Sequence, residues 1–184
     1  MINFTNAIKI SDVTLNSKQP IYEHQSWTGK KLQRATGIQY YEMEFALSFN
    51  IKDRREVDSF ISTYSLGKPF EISLGHLSTY AGTQTAAVTS TGAVAAGAIQ
   101  ITTNAQTLGV GDMVQFSNHT KIYRIIDRTN TSITIFPALR TNVQASEVIK
   151  YNNLGITVVL DADNDYKFPV SNVTSIKLKA TENL

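Results

Sequence analysis

Leu108 to Arg140 reads LGVGDMVQFSNHTKIYRIIDRTNTSITIFPALR, and three short β-strands can be marked on it directly. Met113, Val114 and Phe116 open the first, Lys121 to Ile126 form the second, and Ser132 to Phe136 the third. Gly109, Gly111 and Asp112 punctuate the start, Ser117-Asn118-His119 make one turn, and Asp127 to Thr131 the next. Within the third strand Ile133 and Ile135 share one face while Thr134 and Phe136 share the other, the period of two that a pleated strand imposes. Pro137 ends it, because proline has no N–H to give a central ladder. Nothing in the stretch has the makings of a catalytic loop. It reads as a compact β-unit set into another domain.

Working toward the N-terminus, Ile38 to Asn50 is the clearest strand. Tyr41, Met43, Phe45, Leu47 and Phe49 fall on one face, and Glu42, Glu44, Ala46, Ser48 and Asn50 on the other. A slip of one residue would turn every large apolar group to water, so the register is strongly specified. Asp53 to Ser65 is the one convincing helix, with Val57, Phe60, Ile61 and Tyr64 making an apolar stripe. Asp53 and Glu56 resemble a capping box, and Gly67 with Pro69 stops the helix. Ala7 to Leu15 holds two short strand candidates separated by Ser11-Asp12. Pro20 to Trp27 is mixed, and Gly29-Lys30-Lys31 follows as a hairpin tip. Lys30, Lys31 and Arg34 make a basic cluster that is either a solvated loop or a contact for an acidic partner surface.

Phe70 to Leu74 returns as a strand, after which Ser78 to Gly97 carries no charge and is mostly Ala, Gly, Thr and Ser. Ala86 to Val88 and Ala98 to Ile101 read there as small-residue strands rather than as linker. Val143 to Tyr151, Ile156 to Leu160 and Ser175 to Ala180 complete the strand set. The expected fold is mainly β with one short α-helix. A β-sandwich or barrel host domain, residues 1–80 plus 150–184 with helix 53–65, would hold a small inserted β-barrel at 81–149, an OB-like barrel being one form of it.

The 184 residues are 42% hydrophobic and 17% charged, ordinary for a globular protein, and a net charge of +2 is no argument for nucleic acid. There is no cysteine, hence no disulfide or thiolate metal site. No run of about 18 apolar residues could span a bilayer. The start, MINFTNAIKIS, has no long apolar segment, which argues against a secretory signal. Asp161, Asp163 and Asp165 occupy the first ligand positions of an EF-hand loop, but Tyr166 stands where glycine is needed and Asn172 where glutamate is. A solvated turn is the alternative. His24, His76 and His119 are isolated from one another, and no P-loop, nucleophile elbow or dinucleotide fingerprint occurs. No catalytic, cofactor-binding or metal residues are therefore expected, and no enzyme.

One resemblance adds to this reading. Gly111-Asp112, Gln115-Phe116, Asn118-His119-Thr120-Lys121-Ile122-Tyr123 and Ile133 to Arg140 resemble a segment of tailed-bacteriophage tail proteins. Gly92 to Ile101, GAVAAGAIQI, is similar to the strand that precedes it. An N-terminal β-domain with one helix and a β-insertion is similar to siphophage distal tail proteins. The resemblance implies a homohexameric ring at the tail tip of the virion, assembled in the host cytoplasm. The ring would dock the tail tube protein on one side and the hub or baseplate protein on the other, with tail fibres or receptor-binding proteins at its periphery. DNA would pass through its lumen without sequence-specific binding. If the polar face of Ile38 to Asn50 lined that lumen, Glu42 and Glu44 would repel the passing DNA; an ordinary solvent face is the alternative. A different reading is a monomeric small β-barrel that binds an oligosaccharide or a single-stranded nucleic acid. It would need an exposed aromatic patch drawn from Phe116, Tyr123 and Phe136.

Overall fold

The computed structural model describes every residue except Asn3, Asn6, Pro169, Val170 and Leu184. Residues 169 and 170 and the last residue of the 150–184 span therefore lie outside the described residues. The chain is mainly β, 44% strand, with one short helix and sheets curled in half-barrel fashion. It divides into two compact units: residues 1–35, 39–72 and 157–184 form one, residues 36–38 and 73–156 the other.

In chain order the first unit contributes β1 (Lys9–Lys18), β2 (Ile21–Gln25), β3 (Lys31–Ala35), β4 (Tyr40–Asn50), α1 (Arg54–Tyr64) and β5 (Phe70–Ser73). The second contributes β6 (Val88–Thr89), β7 (Gln100–Thr102), β8 (Met113–Phe116), β9 (Tyr123–Thr129), β10 (Ser132–Phe136) and β11 (Val148–Lys150). The chain then returns through β12 (Gly155–Leu160) and β13 (Val173–Glu182). A five-stranded sheet has the order β1-β4-β13-β12-β5, and a six-stranded sheet the order β6-β11-β8-β9-β10-β7.

β4 is the spine of the first sheet. It runs antiparallel to β1 and β13, so that Leu47 faces Ile10 on one side and Ile176 on the other, and Phe45 faces Leu178. The alternating apolar set Tyr41, Met43, Phe45, Leu47 and Phe49 is buried, as its period requires. β1 is one strand where the sequence suggested two. Its register shifts between Ser11 and Thr14, and Asp12 takes φ 52°. The bulge absorbs the break that Ser11-Asp12 signals, because β4 offers a continuous ladder on both sides of it.

α1 packs through Phe60 and Tyr64 on Phe70, with ring centroids 5.3 and 5.1 Å away. Its start corrects the capping-box expectation. A 3-10 turn, Ile51–Asp53, precedes it, and the Asp53 side chain makes no capping bond. Glu56 is drawn away instead, accepting the Thr5 N–H at 2.9 Å and the Thr5 hydroxyl at 2.7 Å. Two bonds to a distant segment outcompete one local bond.

In the second unit Ile101, Val114, Phe116, Tyr123, Ile133 and Ile149 belong to one buried cluster. Four boundaries differ from the sequence expectation: β6 and β7 are Val88–Thr89 and Gln100–Thr102, shifted from Ala86 to Val88 and Ala98 to Ile101. β9 starts at Tyr123 and carries Asp127 to Thr129 as strand, leaving only Asn130-Thr131 in the turn, because Arg128 and Thr129 pair with Ile133 and Ser132. β11 is confined to Val148–Lys150, since Ser146 takes φ 62° and the Glu147 N–H bonds back to Gln144. The uncharged segment 78–97 is held by side-chain amides. Gln84 accepts the Thr107 N–H at 2.8 Å and donates to the Ala86 carbonyl at 2.8 Å. Asn104 accepts the Thr89 N–H at 3.0 Å and donates to the Ala87 carbonyl at 3.0 Å.

Candidate assembly surface

β2 and β3 form a two-stranded ribbon of their own, in register from Ile21 opposite Ala35 to Gln25 opposite Lys31. The turn between them closes with Ser26 N–H to Lys30 carbonyl and Gly29 N–H to Ser26 carbonyl, each 2.9 Å. Gly29 sits at φ +80°, where a side chain would be strained. Every strand residue of the ribbon is exposed. Residues directly opposite share a face, so the two faces can be read from the register. One carries Ile21, Glu23, Gln25, Lys31, Gln33 and Ala35. On it the Glu23 carboxylate accepts from Lys31 at 2.8 Å and from Gln33 at 2.9 Å. The other carries Tyr22 and His24 opposite Arg34 and Leu32. Tyr22 is 72% exposed, Leu32 54%, and Trp27 at the tip wholly so. One face is thus internally bonded around Glu23, with Ile21 and Ala35 at its far end; the other sets Tyr22 and Leu32 beside Arg34 and His24.

Lys31 and then Gln33 hold the Glu23 carboxyl below the usual carboxylate range. A depressed acid contributes its stabilisation above its unfolded value and loses it as pH falls through its folded one. The ribbon's Glu23–Lys31 bond is therefore expected to stay intact from neutral pH down to the usual glutamate range of about 4.3 and to break below it. NMR titration of the Glu23 side-chain carboxyl would show its midpoint below that of the freely exposed glutamates; an ordinary midpoint would contradict the bond.

The basic cluster read from the sequence does not form one patch. Lys31 and Arg34 fall on opposite ribbon faces, Lys31 is engaged by Glu23, and Lys30 lies in the turn. The signal that marks the ribbon is Gly29-Lys30-Lys31, the hairpin tip between its two strands.

The other candidates separate. Asp161 accepts the Thr181 hydroxyl at 2.7 Å, Asp163 pairs with Lys179 at 3.1 Å, and Asp165 pairs with Lys167. Those pairings push both lysine ammonium groups up from their usual value. Among the described residues no three His, Cys, Asp or Glu side chains are placed to hold a metal ion. His24 is on the ribbon and His76 is exposed in the 3-10 turn Gly75–Ser78, whereas His119 is buried. The Tyr123 hydroxyl accepts the Arg140 N–H at 3.1 Å and is 3.1 Å from His119 Nδ1. With that hydroxyl donating to Nδ1, Nε2–H donates to the Asn142 carbonyl at 3.3 Å. Tyr123→Phe is expected to cost about 1–3 kcal/mol by urea denaturation, since it deletes one acceptor and one donor from a buried network. A loss below about 0.5 kcal/mol would show that the network is not structural.

Phe116 and Tyr123 are fully buried, so the aromatic patch expected of a free-standing binding module is not built from them; Phe136 alone of the three is exposed. Glu42 and Glu44 do share the polar face of β4. Lys18 bonds Glu42 at 3.2 Å, and Lys177 and Lys179 pair opposite Ala46 and Glu44 on that same face. The Lys179 ammonium is bonded to Asp163, so of the two carboxylates Glu42 is the one held in an ion pair. No helix among the described residues is long and apolar enough to cross a membrane. No protein-family model matches the chain, and no curated protein matches it.

Proposed function

We propose that this chain is a structural subunit of a tailed-bacteriophage tail tip. Copies of it close into a ring, six on the pattern of the distal tail proteins it resembles, joining the tail tube to the hub or baseplate. Fibres or receptor-binding proteins attach at the periphery, DNA passes through the lumen, and the subunit has no enzymatic role. The observation that carries the reading is the exposed ribbon of β2 and β3. An isolated two-stranded hairpin is marginal in water, and an exposed cluster of Trp, Tyr and Leu marks a surface meant to be covered. Trp27 at the ribbon's tip and Tyr22 and Leu32 on one of its faces are such exposed side chains. Closed rings arise when such an arm meets a different patch on the next copy.

The test is solution mass by light scattering after gel filtration, over a range of concentrations, alone and with tube and hub proteins. A hexamer, or a monomer that becomes a ring beside its tail partners, supports the reading. A monomer under every one of those conditions overturns it, whatever else the chain binds.

A further inference from the structure

A hollow of about 210 Å³ opens in the second unit, between the Gly75–Ser78 turn, β8 and β9. Tyr80 and Tyr151 line it as an edge-to-face pair with ring centroids 4.9 Å apart. Both hydroxyls are tied back into the protein. Tyr80 accepts the Gln84 N–H at 3.2 Å, and Tyr151 donates to the Ala86 carbonyl at 3.2 Å. The rings are thereby held in place, partly buried against the core cluster, with the part that lines the hollow left for a ligand. Asp112 and Arg124 line the same hollow.

Asp112 is rigidly placed. One carboxylate oxygen accepts the Gly109 N–H at 2.7 Å, its own carbonyl accepts the Ile125 N–H at 2.9 Å, and Gly111 donates to the Ile125 carbonyl at 2.8 Å. Its second carboxylate oxygen has no protein partner among the described residues, nor does the Arg124 guanidinium. The two charges share a small hollow without pairing. An anion would meet Asp112 and a cation would meet Arg124, so neither is the natural occupant. A neutral polyol suits both, because each hydroxyl donates to a carboxylate and accepts from a guanidinium. Aromatic carbon surface beside such a donor–acceptor pair matches the two sides of a sugar ring, one apolar with C–H groups and one rimmed with hydroxyls. The volume is below the roughly 300–1,000 Å³ of pockets for drug-sized ligands, which limits the occupant to one ring.

We propose that this hollow is a subsite for one pyranose ring of a polysaccharide. The sugar lies against Tyr80 and Tyr151, with adjacent hydroxyls bonded to Asp112 and Arg124. Phe136, exposed and opposite Arg124 in the ladder, extends the surface for the next ring. The subsite does not depend on ring assembly.

The experiment is saturation-transfer difference NMR on the full chain, titrated separately with methyl α-D-glucopyranoside, methyl β-D-galactopyranoside and N-acetyl-D-glucosamine, with sodium acetate as a charged probe. At least one sugar is expected to saturate with Kd of about 1–10 mM, as suits a single small ring. Asp112→Asn, which keeps an oxygen for the Gly109 N–H, and Arg124→Gln are each expected to weaken binding tenfold or more while leaving the thermal midpoint unchanged. No saturable sugar signal overturns the proposal, as does sugar binding that both variants retain. Acetate binding that outcompetes every sugar and vanishes only in Arg124→Gln would reassign the hollow to anions and overturn it as well.

Discussion

A triple variant, Trp27→Ala with Tyr22→Asp and Leu32→Asp, is expected to stay monomeric under every condition in which the unaltered chain forms a ring. Its far-UV spectrum and thermal midpoint should not move. The reasoning is an asymmetry of exposure. None of the three side chains is buried in its own chain, so their loss removes nothing from the core. In an interface they are the kinds of residue that dominate binding, each truncation of a central aromatic costing about 2 kcal/mol or more. Three such losses weaken a subunit contact by at least about a thousandfold, enough to empty a ring at micromolar concentration. Gln25→Ala and Gln33→Ala on the opposite face serve as the control and should assemble normally. Light scattering of the two sets side by side decides the matter. If the triple variant still assembles, the subunits meet elsewhere and the ribbon is not the arm.

The second large effect is on stability. Phe45→Ala is expected to destabilise the first unit by about 3–5 kcal/mol, because the ring is fully enclosed in the sheet's inner face and the cavity cannot collapse. That is a large share of the 5–15 kcal/mol typical of a folded domain. Glu44→Ala, one residue earlier on the opposite face, should change stability by less than about 1 kcal/mol. Urea denaturation of the two variants compares them directly. Equal losses would mean that β4 is slipped by a residue from the register in which Phe45 faces Leu178.

Much of the architecture is local in origin and so was legible along the chain. β4 could be read with its buried face because alternation of large apolar groups fixes both the conformation and the side that must be covered. The same holds for Ile133 and Ile135 in β10; of the α1 stripe, Val57 and Phe60 are buried while Ile61 and Tyr64 are half-buried. Pro137 marked the end of β10, and Gly67 with Pro69 that of α1. The capping box failed because its Glu56 answers to Thr5, a residue 51 positions away. The aspartates at 161, 163 and 165 resembled a ligand loop until β13 supplied Lys179 and Thr181 as partners for two of them.

What a chain segment shows on its own is its preferred conformation; what it shows only when folded is who stands beside it. The segments flanking Gly29 could be recognised as a hairpin, but nothing local says that no neighbour covers it. Tyr80 and Tyr151 lie outside the bounds 81–149 read for the insertion, and Asp112 and Arg124 belong to turn and strand signals that call for no ligand. Their meeting in one hollow is a product of ladder order and turn geometry. Backbone periodicity is set over a few residues by the stereochemistry of the peptide unit, so the sequence by itself determined β4, β10 and the helix with their buried faces, while ladder partners set the bounds of the other strands. Exposure of the ribbon and convergence of the sugar subsite depend on contacts between distant residues, and those only the tertiary structure decided.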